Sequence, residues 1–140
     1  MRYERAVEID ATAEKVWSVL VDVEDWPSWT PSVRQVEPLD DSEVKVGSRF
    51  RVTQPMLRPS VWEITKLEPQ RSFSWSTSVM GIVIDADHDI ESDRPNGVTV
   101  TLRLTQRGPM VWLATLLAGA RTRRYVQREA NGLKQRSEAT

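Results

Sequence analysis

From Val33 to Arg107 the chain repeats one pattern: a stretch of alternating apolar and polar residues, then a short connection rich in Gly, Pro, Asn or Asp. The stretches VRQVEPL, VKVGSRFRVTQP, SVWEITKLEP, RSFSWSTSV, IVIDADHDIE and GVTVTLRLTQR are separated by DDSE, MLRP, PQ, MG and RPNG. A period of two is that of a half-buried strand, and connections this short return the chain antiparallel to its predecessor. The pattern therefore predicts a six-strand meander with one apolar face. Such a face must be covered by another element.

The flanks supply the cover. RYERAVEI (2–9) alternates as a further strand, and DATAEKVWSVLVDV then changes period. Val16, Val19, Leu20 and Val23 recur at i, i+3, i+4 and i+7, as in an amphipathic helix, which Asp10 or Thr12 can cap. In DWPSWTPSV (25–33), Pro27 is tolerated in a first helical turn and Pro31 drives Thr30 out of helical conformation. One turn of helix fits between them, and its i, i+3 spacing points Trp26 and Trp29 the same way. Gly108-Pro109 ends the strands, and 110–136 reads as one long helix. Its first half, MVWLATLLAGA, is apolar on nearly every face; its second is amphipathic through Val126, Ala130 and Leu133. A helix apolar all round should be enclosed all round. The sheet covers one side, and the Trp26/Trp29 turn is the candidate for another.

Alternation also sorts the strand side chains. The inward sets are Phe50, Val52, Gln54 and Met56; Trp62 and Ile64; Phe73, Trp75 and Val79; Ile82, Ile84, Ala86, His88 and Ile90; Val98, Val100, Leu102 and Leu104. Asp85, Asp87, Asp89 and Glu91 fall on the opposite face. Gln54 and His88 are polar groups on apolar faces, and each needs a partner if buried.

Several chemistries are excluded or weakened. Cysteine is absent, which removes disulfides and thiolates, and a single histidine makes a catalytic zinc site improbable. DADHDIESD (85–93) lacks the glycine and closing glutamate of a calcium loop, and reads better as a solvated strand face. The serines of 72–78 have no neighbouring base and no G-x-S-x-G. Residues 1–100 carry 11 basic and 18 acidic side chains, whereas 101–140 carry 8 and 2. Arg121, Arg124 and Arg128 share a face of the last helix, which reads as solvated or salt-bridged, with peripheral membrane contact as the alternative. Nucleic-acid binding would need basic residues interleaved with exposed aromatics, and the indoles here belong to apolar faces. The 140 residues suit one domain over 1–140. No apolar run approaches the ~20 residues of a bilayer span, and the charged N-terminus lacks a signal-peptide core, so a cytoplasmic protein is expected.

The order strand, helix, short helix, six-strand meander and long helix resembles the START-like (Bet v 1-like, SRPBCC) superfamily. The wording is similar to its bacterial polyketide cyclase/dehydrase and lipid-transport branch. The matching stretches are VEIDATAEKVWSVLVDVEDWPSWTPSVRQVE, VGSRF (46–50), VWEITKLEPQRSFSW (61–75), the inward His88, GVTVTL (97–102), Arg124-Tyr125 and GLK (132–134), spread over essentially the whole chain. The resemblance implies an α+β helix-grip fold, a curved seven-stranded antiparallel sheet around a long C-terminal helix, with two short helices after the first strand. It implies a cavity between sheet and helix that takes lipids, polyketides or aromatic metabolites. The expected ligand-facing residues are Trp26, Trp29, Gln54, Met56, Trp62, Trp75, His88, Trp112 and Leu116. No cofactor or metal is expected, and homodimerisation stays open. The expected function is binding, transport or sensing of a hydrophobic small molecule. One alternative is a cyclase or aromatase in which His88 transfers protons; another is a module acting on a protein or membrane partner.

Overall fold

The computed structural model describes residues 2–40, 43–55, 57–79, 81–109 and 111–139, with the backbone alone for 113–118. Seven strands form one antiparallel sheet: β1 (Arg2–Ile9), β2 (Gln35–Pro38), β3 (Arg49–Thr53), β4 (Ser60–Glu68), β5 (Ser72–Val79), β6 (Ile82–Arg94) and β7 (Gly97–Arg107). Helix α1 (Ala13–Val21) and a 3₁₀ helix (Val23–Ser28) separate β1 from β2, and α2 (Val111–Glu138) follows β7. The strand order is β1-β7-β6-β5-β4-β3-β2, so the meander runs unbroken from β2 to β7. Strand β1 pairs with the last strand, from Arg2↔Thr105 to Ile9↔Val98. Consecutive strands β1 and β2 thus occupy opposite edges, and the helical connection between them must cross one end of the inner face. This is the helix-grip architecture.

Local chemistry explains the elements. Thr12, rather than Asp10, caps α1: its hydroxyl accepts the Lys15 N–H at 3.1 Å. Asp10 instead accepts from Arg94 at 2.9 Å and lends its own N–H to Glu138 at 2.8 Å. The stripe predicted for α1 is its buried one, through Val16, Val19 and Leu20. Helix α2 lies against β1, β7 and α1, burying Val126, Ala130 and Leu133.

The strand faces follow alternation with one shift. A bulge between Ile64 and Lys66 changes the register of β4 against β5, so Leu67 lies opposite Phe73 and Lys66 opposite Ser74. Strict alternation from Trp62 and Ile64 would have turned Lys66 inward; the extra residue restores an apolar side chain to the inner face. Val79 was expected inside but is 40% exposed, because it ends β5 at the turn into β6. On the outer face the acidic residues form a hydrogen-bonded ladder. Ser74 donates to Asp87 at 2.6 Å, Ser72 to Asp89 at 2.8 Å, and Arg107 to Asp85 at 2.9 Å. Ser72 and Ser74 of β5 are thereby engaged with carboxylates across the sheet.

Among the described residues at the start of α2, Trp112 departs from expectation. Trp112 is 66% exposed, whereas an all-round apolar helix start was expected to be enclosed. Periodicity reports which positions are apolar, not whether a neighbour reaches them, and Trp112 lies in the first turn after Gly108-Pro109. The side chain of Leu116 and the whole of Met56 lie outside the described residues.

Candidate functional site

The 3₁₀ helix carries the two indoles as its spacing requires. The Trp29 and Thr30 N–H groups both bond the Trp26 carbonyl at 3.0 Å, closing the turn around Pro27. The ring centroids of Trp26 and Trp29 are 5.3 Å apart. Their roles then diverge. Trp26 is 1% exposed, donates its indole N–H to the Leu20 carbonyl at 2.9 Å, and stands 5.0 Å from Trp75 and 5.5 Å from His88. Trp29 faces α2. Its carbonyl lies so close to Gly132 that a Cβ at that position would overlap it. The GLK glycine is therefore the point at which α2 passes over the Trp turn.

Between sheet and α2 is a cavity of about 160 Å³. One wall is aromatic, made by Trp26, Trp62 and Trp75; Val52, Ile84, Ala86 and Leu104 extend it. The indole N–H of Trp62 is satisfied by Ser60 at 3.0 Å, leaving its ring to the wall. Gln54 lines the cavity too, whereas Trp29 and Trp112 do not. The volume is close to that of the roughly 150 Å³ engineered cavity that accommodates benzene, which sets the scale at one ring.

His88 lies behind this wall rather than in it. The ring is 2% exposed and packs edge-on against Phe73 at 5.2 Å. Nδ1 sits 3.0 Å from the Phe73 carbonyl, which accepts but cannot donate, so Nδ1 carries a hydrogen. Nε2 is 2.6 Å from Glu129 Oε1. Burial alone would lower the histidine pKa, but the hydrogen bond and charge of Glu129 oppose it. Smaller contributions come from the Phe73 carbonyl and Asp87, and the sum holds His88 above its ordinary 6.5. The group that reaches the cavity is Glu129, whose side chain remains 21% exposed.

Glu129 is the residue that sequence reasoning missed. Arg121, Tyr125 and Glu129 recur at i, i+4 and i+8 on α2, and all three line the cavity. The basic stripe drawn through Arg121, Arg124 and Arg128 splits instead: Arg124 and Arg128 are exposed, while Arg121 is half-buried at the cavity. Tyr125 donates its hydroxyl to the Pro55 carbonyl at 3.0 Å, tying the helix to the chain just after β3. The available signal was the inward set Val126, Ala130 and Leu133, which orients the helix and leaves 125 and 129 on its flank toward the sheet.

The family described as polyketide cyclase/dehydrase and lipid transport matches residues 1–138. No match was found among curated protein sequences. Among solved structures, the chain is similar to hypothetical protein jhp0584 of Helicobacter pylori, with TM-score 0.83, 15% identity, and 98% of this chain and 88% of that one covered. It is also similar to a START superfamily protein of Mycobacterium smegmatis, with TM-score 0.75, 17% identity and coverage of 98% and 97%. A third similarity is to the di-domain ARO/CYC BexL of the BE-7585A biosynthetic pathway, with TM-score 0.73, 17% identity and coverage of 99% of this chain and 46% of that one. At these identities the likeness is one of fold.

Proposed function

Because the chain belongs to the polyketide cyclase/dehydrase and lipid transport family, we propose that it binds a small hydrophobic or amphipathic molecule between sheet and α2, as a carrier or sensor. The observation that carries this reading is the cavity wall of three indoles, a large apolar and geometrically specific surface backed by few titratable groups. The volume of about 160 Å³ favours a ligand of about one ring over an extended polyketide or a lipid chain. A cyclase would need a proton-transfer group facing the bound chain. His88 has one nitrogen on a main-chain carbonyl and the other on Glu129, which favours the binding reading over His88-centred catalysis.

Native mass spectrometry of the purified protein, paired with a thermal-shift screen of single-ring and lipophilic compounds, tests this. A bound small molecule, or a rise in Tm that grows with ligand concentration, is expected. No adduct and no shift across the panel would refute it.

A further inference from the structure

The charged residues of the cavity, Arg121 and Glu129, both lie on α2. Arg121 and Glu129 are eight positions apart, which at about 1.5 Å per residue separates their backbones by about 12 Å along the helix axis. Tyr125 lies between them with its hydroxyl turned to the Pro55 carbonyl. The facing wall is mostly apolar, with Ser32, Gln54 and Gln106 as its uncharged polar members. A molecule held here therefore meets a guanidinium at one end, a carboxylate at the other and indole faces along its body.

The charges decide which molecule. Glu129 Oε1 and His88 Nε2 are 2.6 Å apart, within reach of one proton held between carboxylate and imidazole. With that proton in place the pair as a whole is neutral, whichever partner carries it. Arg121 has no carboxylate partner among the described residues and is half-buried. The cavity thus carries one uncompensated positive charge, at the Arg121 end. At the other end Glu129 offers an acceptor oxygen, backed by His88, that a ligand hydroxyl could satisfy.

We infer that the cavity selects a small aromatic monoanion bearing a hydroxyl at its far end, with the anionic group on Arg121 and the hydroxyl on Glu129. A phenolic acid is the simplest member of that class. The inference rests on the cavity-binding reading above and sharpens it from hydrophobic ligands in general to a bipolar one. It also gives His88 a role without proton transfer: it is a positioning residue that holds Glu129 in place and cancels its charge.

Isothermal calorimetry with para-hydroxybenzoate, para-hydroxybenzamide and benzoate tests it, alongside thermal shift with toluene as a charge-free ring. Para-hydroxybenzoate is expected to bind roughly 10- to 100-fold more tightly than the amide, the range of one charge-assisted hydrogen bond. Arg121→Gln should erase that ratio, and Glu129→Gln should remove the preference for para-hydroxybenzoate over benzoate. Circular dichroism would verify that both variants fold; the wild-type acid-to-amide ratio needs no variant at all. Equal affinity for acid and amide, with toluene still stabilising the protein, would overturn the bipolar inference and leave the cavity reading intact. No response to any of the four compounds would overturn both.

Discussion

Ala86 is the place to ask whether the cavity is real space. It is 9% exposed on β6, in register with Trp75 on β5 and Leu104 on β7, and all three line the cavity. Ala86→Ile adds three carbons toward the void and introduces a β-branched residue suited to a strand. At about 0.8 kcal/mol per buried methylene the gain is about 2.4 kcal/mol, less about 0.5–1 kcal/mol for the ordered side chain. The net is about 1.5–2 kcal/mol. It lies below the ceiling of about 4 kcal/mol obtained from 160 Å³ of cavity at about 24 cal/mol per Å³. For a chain of this size that corresponds to a rise in Tm of roughly 3–8 °C. Differential scanning calorimetry measures the shift, and calorimetric titration with a cavity ligand measures the accompanying loss of binding. A variant less stable than wild type by about 1 kcal/mol or more would mean that the added carbons overpack the core, and the volume argument would fail. A stabilised variant that binds as before would separate the cavity from the binding site.

Two further outcomes concern what surrounds the cavity. His88 has a folded-state pKa raised above 6.5, so its contribution is fully present below about that pH and is lost as pH rises through the folded value. Urea titrations from pH 6 upward should show wild-type stability falling across that window, with the slope absent in His88→Gln; a wild type that gains stability there would refute the pairing with Glu129. Gly132→Ala should destabilise the protein by denaturant titration, although alanine favours an exposed helix interior by about 1 kcal/mol, because its Cβ meets the Trp29 carbonyl. A stabilised Gly132→Ala would show that α2 can lift from the Trp turn without cost.

The extent to which this structure was legible differs between its parts for physical reasons. Strand periods, Pro27 and Pro31 and the 108–109 break act locally, and local sequence is enough to place β1, the meander, the Trp turn and α2. The bulge at Ile64/Lys66 was not legible, because a strand read alone has no partner against which to count a register. The same limit explains Trp112 and Val79: their chemistry is apolar, but exposure depends on neighbours that lie far off in sequence. Within the site, Trp26, Gln54, Trp62 and Trp75 face the cavity as alternation and the turn suggested. His88 was correctly placed on the inner face, but its partner was not. Glu129 lies 41 positions away, and one of two acids on a basic helix gives no reason to look at it.

The pairing of β1 with β7 carries a consequence for how the chain reaches this state. Its contacts join Arg2 to Thr105 and Ile9 to Val98, while the meander between them is made of local hairpins. Hairpins form early and cheaply in conformational entropy, whereas an edge strand whose partner lies about a hundred residues on has to wait for the largest loop in the molecule to close. The topology predicts assembly in two tempos: a fast meander, then slower docking of β1 together with the helical crossing that ends at the Trp turn. During translation β1 leaves the ribosome with Tyr3, Val7 and Ile9 uncovered, and it stays unpaired until β7 has been synthesised. Of the strands of this sheet, β1 is made before its partner and has to be completed after it.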